Sequence, residues 1–127
     1  MNAQDAARLL AEIENERRNL DHAAAEIDSR RAATDDTTSY ALALLLMNYY
    51  TGAERIFQRI AALLGGLPPA ERLAGLLRFR HAIRNLYAWT IRRAEMDIHI
   101  AALPEHHHRL TADLERFGSF LRRLVAG

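Results

Sequence analysis

Apolar side chains recur every three or four residues along almost the whole chain, and no stretch alternates with the period of two that a strand shows. The spacing predicts four helices, over about residues 4–31, 40–64, 69–98 and 104–125. A Gly-Gly pair at 65–66 ends the second helix, and Pro69 and Pro104 begin the third and fourth. We therefore expect an all-α protein, an antiparallel four-helix bundle to which a short extra helix could be added.

The buried faces of these helices follow from the same pattern. In the first helix, Ala6, Ile13, Leu20 and Ile27 are separated by seven residues, with Leu9 and Leu10 beside them. The polar run Thr-Asp-Asp-Thr-Thr at 34–38 supplies N-cap residues for the second helix, which is apolar around much of its circumference and should be central. In the fourth, the stripe is Leu103, Leu110, Leu114, Phe117, Leu121 and Leu124. We expect the aromatic residues Tyr40, Tyr49, Tyr50, Phe57 and Trp89 in the core.

Length and composition limit the function classes. A chain of 127 residues fits one domain, which we take to span residues 1–127. The absence of cysteine excludes disulfides and thiolate metal sites. The longest apolar run, residues 40–47, is too short to cross a bilayer and no signal segment begins the chain, so we expect a soluble, cytoplasmic protein. We also expect no cofactor.

Charge is unevenly distributed although the net charge is only +1. Residues 1–36 hold nine acidic residues and five arginines, whereas residues 66–127 hold six acidic residues and ten arginines. This asymmetry permits an anionic ligand in the C-terminal half. It also permits ion pairs between the first helix and the third and fourth, or a partner helix that docks on an unmatched acidic surface of the first.

The third predicted helix carries the most unusual chemistry. Arg80, Arg84 and Tyr87 share one face, and the two arginines interrupt an apolar stripe. With Arg78 they could bind a phosphate, because one guanidinium group can donate hydrogen bonds to two phosphate oxygens at once. They could instead form ion pairs with acidic residues of the first helix, such as Glu12, Glu14, Glu16 or Asp21.

His81 and Asn85 lie one turn apart on the neighbouring face of that helix. His81 by itself is compatible with a packed or solvated residue. A site that uses both faces needs a distorted helix or a second copy of the chain, which favours a symmetric dimer with a composite cleft.

Residues 79–87, Phe-Arg-His-Ala-Ile-Arg-Asn-Leu-Tyr, resemble the pattern Phe-Arg-Asn-x-Ile-Val-His-x-Tyr of the HepT toxins, a family of the HEPN ribonuclease superfamily. Leu-Pro-Glu at 103–105 resembles the start of that family's last helix, and residues 50–61 resemble a run of one HepT-like subgroup. The likeness covers about the C-terminal two-thirds of the chain. The segment between Leu64 and Leu77 is shorter than in the family.

The resemblance implies an all-α HEPN domain that forms a homodimer and cleaves RNA without metal. It also implies a nucleotidyltransferase antitoxin, which silences the toxin by attaching AMP to the motif tyrosine, here Tyr87. Arg80 would bind the scissile phosphate, His81 stands after it, and Asn85 occupies the catalytic histidine's place.

Asn85 raises the question of whether the chain is catalytic, because an amide cannot exchange protons near neutral pH, whereas the imidazole of histidine can. His81 could substitute, giving an active endoribonuclease toxin, or the chain is a catalytically weakened descendant. The alternative is a non-catalytic helical dimer module that binds a protein partner or an RNA backbone.

Three consecutive histidines, His106, His107 and His108, raise the possibility of a metal site. Glu105 and His108 form one Glu-x-x-His, but a di-iron bundle needs a second copy and further glutamates, which the sequence lacks. Consecutive positions also point to different sides of a helix. We therefore expect three solvated histidines in the first turn of the fourth helix.

Overall fold

The computed structural model describes residues 2–64 and 93–126, which form three α-helices and, within these ranges, no strand. They are α1 (Ala3–Arg30), α2 (Asp36–Leu64) and α3 (Arg93–Ala126). The prediction of an all-α protein is confirmed. The count of four helices stays a prediction, because most of the predicted third helix lies outside the described residues.

The helix α1 packs against both other helices, which contact each other only sparsely. It runs antiparallel to α3, because Arg93 at the start of α3 donates to the carbonyl oxygen of Arg31 just past the end of α1, whereas Arg122 reaches Glu14. It also runs antiparallel to α2, because Gly52 lies against Leu20, whereas Arg59 further along α2 reaches Glu12. The stripe predicted for α1 is confirmed for Ala6, Leu9, Ile13, Leu20 and Ile27, which are all buried, whereas Leu10 is only partly buried. The α2 and α3 residues that complete the core are Leu42, Ala43, Leu46, Tyr49, Tyr50, Ala53, Ile56, Ile60, Met96, Ile100, Leu103, Leu110, Leu114 and Leu121.

The turn between α1 and α2 is held from two sides. Asp35 caps α2, accepting hydrogen bonds from the backbone N–H of Thr38 at 3.0 Å and from its hydroxyl at 2.7 Å, and these bonds lower the pKa of the Asp35 carboxyl. The guanidinium of Arg93 donates to the carbonyl oxygens of Arg31 and Ala33. Those carbonyls lie just past the C-terminus of α1, where a helix leaves acceptors unpaired and favours positive charge.

Pro104 does not begin a helix, contrary to the sequence prediction. It lies inside α3, which is continuous from Arg93 to Ala126. A proline within a helix removes one backbone hydrogen bond and costs about 3 kcal/mol. Buried residues lie on the same face of the helix on both sides of it: Met96, Ile100 and Leu103 precede it, and Leu110 and Leu114 follow, with a step of seven residues, about two turns, between Leu103 and Leu110. Burial of each large side chain stabilises by about 1.5–3 kcal/mol, which offsets the loss.

Two further expectations fail at the surface. Tyr40 is 69% exposed, although Tyr49 and Tyr50 are in the core as predicted, and Phe57 is half-buried. Leu124 is exposed, so the buried stripe of α3 ends at Leu121, with Phe117 only partly covered. Trp89 lies outside the described residues.

Gly52 brings α1 and α2 close together. A Cβ atom added there would lie 3.0 Å from Cδ2 of Leu20 and 3.4 Å from Oε2 of Glu16. Glycine therefore leaves the space that these two α1 side chains occupy.

No helix among the described residues is both long enough and apolar enough to cross a bilayer.

Candidate functional site

The site residues predicted on the third helix lie outside the described residues. They are Arg78, Arg80, His81, Arg84, Asn85 and Tyr87. The described helices contain a different candidate, an open groove between α1 and α3.

This groove has a volume of about 570 Å³. Its walls are mostly apolar, with Ala24, Ile27, Ile100 and Leu103 among them. The polar residues that line it are Asp21, Asp28, Arg31, His107, His108 and Thr111. Its size falls within the range of small-molecule pockets, but it is open along one side and does not enclose a ligand.

A hydrogen-bonded chain of three side chains, one from each helix, borders the groove. Nε2 of His107 lies 2.7 Å from Oδ1 of Asp21, and its Nδ1 lies 2.9 Å from the hydroxyl of Tyr49. The imidazole also meets the Tyr49 ring edge-on, with centroids 5.5 Å apart. We call Asp21, His107 and Tyr49 the interhelical relay.

The chemistry of the partners sets the proton positions in the relay. An ionised carboxylate only accepts hydrogen bonds, so Nε2 of His107 carries a hydrogen and donates it to Asp21. In the neutral imidazole Nδ1 then accepts from the hydroxyl of Tyr49. Burial, and then the nearby negative charge of Asp21, raise the pKa of Tyr49, so its hydroxyl keeps the proton that it donates.

The relay is better suited to holding helices together than to acid–base catalysis. Both ring nitrogens of His107 have protein partners, and Tyr49, at the inner end of the chain, is only 1% exposed. A general base needs a nitrogen that reaches the substrate. Since α2 and α3 otherwise touch sparsely, His107 supplies one of their few direct links.

The expectation of three solvated histidines is therefore wrong for His107, whose side chain is largely covered. His108 is exposed, whereas His106 is half-buried. Burial, and then the charge of His106, lower the pKa of His99, one heptad earlier. Within residues 2–64 and 93–126, no group of three potential ligands is placed to hold a metal ion.

The acidic side chains of α1 are not an unmatched surface. Glu12 and Glu16 face Arg59 and Arg55 of α2, while Glu14 faces Arg122 of α3. Asp21 accepts from His107, as described above. The prediction that arginines of the fourth helix pair with the first is confirmed for Arg122, but the arginines of α2 were not foreseen.

The sequence did contain a signal for the relay. His107 continues the buried stripe of α3, four residues after Leu103 and three before Leu110. A polar residue at a stripe position usually requires a buried partner. The identity of that partner, Tyr49 at 58 positions' separation, could not be read from spacing within one helix.

Comparison of the chain with protein-family models, with curated proteins and with solved structures gives no match in any of the three.

Proposed function

We propose that the chain is a HepT-like toxin: a homodimeric, metal-independent endoribonuclease or its catalytically weakened descendant, controlled by a nucleotidyltransferase antitoxin. The observation that carries the proposal is the sequence of residues 79–87. In it Arg80, the polar residues His81 and Asn85, and Tyr87 stand at the spacing of the family motif. The described helices support only the fold class that the proposal requires.

A second resembling segment, residues 50–61, lies on α2. Its glycine, Gly52, allows close packing against Leu20 of α1. Its arginines, Arg55 and Arg59, lie 3.8 Å and 3.7 Å from the buried carboxylate of Glu16. These contacts give the segment a structural role in joining α1 to α2, which is compatible with a family scaffold.

In the proposed reaction the 2′-oxygen of the RNA attacks the adjacent phosphorus while the bond to the 5′-oxygen breaks. A base takes the 2′-hydroxyl proton, and an acid returns a proton to the 5′-oxygen. Arg80 would bind the phosphate oxygens, on which negative charge develops. His81 is the side chain of the motif that can exchange protons, and Asn85 would orient the phosphate by hydrogen bonding.

Tyr87 would be the control point of this site. An AMP group attached to its hydroxyl adds bulk and negative charge beside the arginines that bind RNA phosphate. The antitoxin would therefore block substrate binding without unfolding the toxin.

The test is cleavage of labelled RNA in the presence of a chelator by wild type, Arg80→Ala, His81→Ala and Asn85→His. Cleavage by wild type that is lost in the first two variants supports an active ribonuclease with His81 as acid and base. An inert wild type that gains activity in Asn85→His supports the weakened descendant. Inactivity of all four proteins would reject the ribonuclease proposal.

One observation favours a second candidate, a non-catalytic dimer module that binds a protein partner or an RNA backbone. Asn85 cannot titrate, whereas Arg78, Arg80 and Arg84 would retain anion binding. Binding of RNA by wild type that weakens in Arg80→Ala, with no cleavage by any of the four proteins, would favour this candidate.

A further inference from the structure

The outward surface of α1 carries arginines from all three helices, although the α1 sequence is rich in acidic residues. Arg8 and Arg18 are exposed on α1 and have no ion pair within the part of the chain that the structure describes. Arg55 and Arg59 reach α1 from one side, and Arg122 reaches it from the other. We call these five residues the arginine patch.

The patch spans the outward side of α1. At about 100° per residue, Arg8 and Arg18 lie between the direction of Glu12 and Glu16, which face α2, and the direction of Glu14, which faces α3. Two of the five arginines are residues 8 and 18 of α1 themselves, and the other three contact glutamates between these positions. The patch therefore extends about 15 Å along α1. Hydrogen-bond donors, namely Asn15, Asn19 and His22, are exposed on the same outward side.

The patch arginines are held loosely. Their contacts with carboxylates are 3.3–3.8 Å long, and only Arg122 with Glu14 has hydrogen-bond geometry. Elsewhere Arg30, Arg93 and Arg109 make hydrogen bonds of 2.7–2.9 Å to a carboxylate one turn away. The patch therefore keeps most of its N–H donors available to an external anion.

We propose that the arginine patch binds the phosphate backbone of RNA, an inference that rests on the proposed function and adds a second contact surface for its substrate. Arginine and asparagine are among the side chains that contact phosphate in nucleic-acid complexes. The span of about 15 Å along α1 accommodates two or three successive phosphates of an extended strand. Three glutamates, Glu12, Glu14 and Glu16, partly offset the charge of the five arginines, and the excess of arginines leaves the patch positive and attractive to anions.

RNA fits these observations better than an acidic protein surface does. A partner helix docks through large apolar anchors, whereas the apolar residues on the outward line of α1 are the small Ala7, Ala11 and Ala25. A nucleic-acid backbone needs spaced cations and hydrogen-bond donors, which this surface provides.

The experiment measures binding of a labelled single-stranded RNA to the full chain by fluorescence anisotropy, in chelator and at several salt concentrations. The patch variant is Arg8→Gln with Arg18→Gln. The matched control is Arg30→Gln with Arg109→Gln, which removes the same charge from exposed helix faces outside the patch. Arg80→Ala reports on the motif, and thermal unfolding verifies that each variant is folded.

We expect the patch variant to bind about tenfold more weakly, with the slope of log K against log salt reduced by about 1.4, because two phosphate contacts are lost. The control should stay within about twofold of wild type. An equal loss in both double variants would mean nonspecific attraction and would overturn the patch as a site.

Other outcomes separate this inference from the proposed function. If Arg80→Ala weakens binding while the patch variant does not, the function stands and the patch inference fails. If wild type binds no RNA at low salt, both fail. Tighter binding of poly-L-glutamate than of RNA, lost in the patch variant, would assign the surface to an acidic protein and overturn the RNA assignment.

Discussion

The helix α1 has one interface with α2 and another with α3, which we call its two seams, and they are built differently. Towards α2 the backbones approach closely at Gly52, and the buried carboxylate of Glu16, 6% exposed, lies beneath two arginines. Towards α3 an added Cβ at Gly118 would meet Leu10 at 3.6 Å and the guanidinium of Arg122 at 3.7 Å, which are ordinary van der Waals contacts, and the seam opens into the groove. There the interhelical relay adds directed hydrogen bonds to the apolar packing of the helices.

This difference separates two ways of fixing a helix. Close packing at Gly52 leaves little room for an added atom, because Leu20 would have to shift to accommodate even a Cβ. The relay fixes α3 through directed hydrogen bonds, which tolerate changes of volume but not the loss of a donor or acceptor. On the α2 seam, substitutions that add volume should therefore lower the free energy of unfolding most. On the α3 seam, substitutions that remove a hydrogen-bond donor or acceptor should lower it most.

The largest effect that we expect is alkaline destabilisation through Tyr49 and Tyr50. Burial is the main cause that raises the pKa of both phenols above the ordinary value of 10.0. The folded protein thus holds protons that the unfolded chain releases above pH 10, so stability is fully present below that pH and falls above it. At about 1.4 kcal/mol per pH unit and tyrosine, urea unfolding at pH 11 should show a loss of about 2–3 kcal/mol relative to pH 9.

The control for this effect is the variant Tyr49→Phe with Tyr50→Phe, which should remove most of the pH dependence between pH 9 and 11. Tyrosinate absorbance that develops for all tyrosines while the protein remains folded would contradict the prediction.

Next in size is Gly52→Val, which should lower the free energy of unfolding by about 2 kcal/mol. The added side chain meets Leu20 and Glu16, both buried. Gly118→Ala on the other seam should instead raise stability by about 0.5–1 kcal/mol, because alanine favours helix and the space is open enough. Denaturant unfolding of both variants measures the contrast, and a shared sign would refute it.

His107→Ala should cost about 1–2 kcal/mol, since the hydroxyl of Tyr49 loses its hydrogen-bond partner in the described structure while remaining buried. Adding Tyr49→Phe should recover part of that loss. A double-mutant cycle from urea unfolding gives the coupling energy, which we expect near 1 kcal/mol. Strict additivity of the two substitutions would show that the relay contributes no specific energy.

The smallest expected effect is that of Ala25→Leu in the groove, within about 0.5 kcal/mol of wild type, because the position is exposed. Ala23→Leu, two residues earlier but buried, should cost about 1–3 kcal/mol by overpacking. Equal costs by thermal unfolding would mean that the groove is closed in solution.

Much of the helical organisation could be predicted because it depends on local periodicity. The α1 stripe from Ala6 to Ile27 and the N-cap run that contains Asp35 follow from spacing and hydrogen-bonding capacity alone. The break at Pro104 was wrong, since a local rule for proline gave way to burial on both sides of it. The motif residues from Arg78 to Tyr87 stay sequence predictions.

The sequence by itself determined that the chain is helical and which α1 residues are buried, because a period of 3.6 leaves few other solutions. It also contained the segment on which the proposed function rests. Only the tertiary structure decided how the charges are arranged: the acidic α1 is covered by Arg55, Arg59 and Arg122, and His107 joins Asp21 to Tyr49. These contacts link positions tens of residues apart, and their partners are selected by the angle at which helices pack, which no single helix encodes.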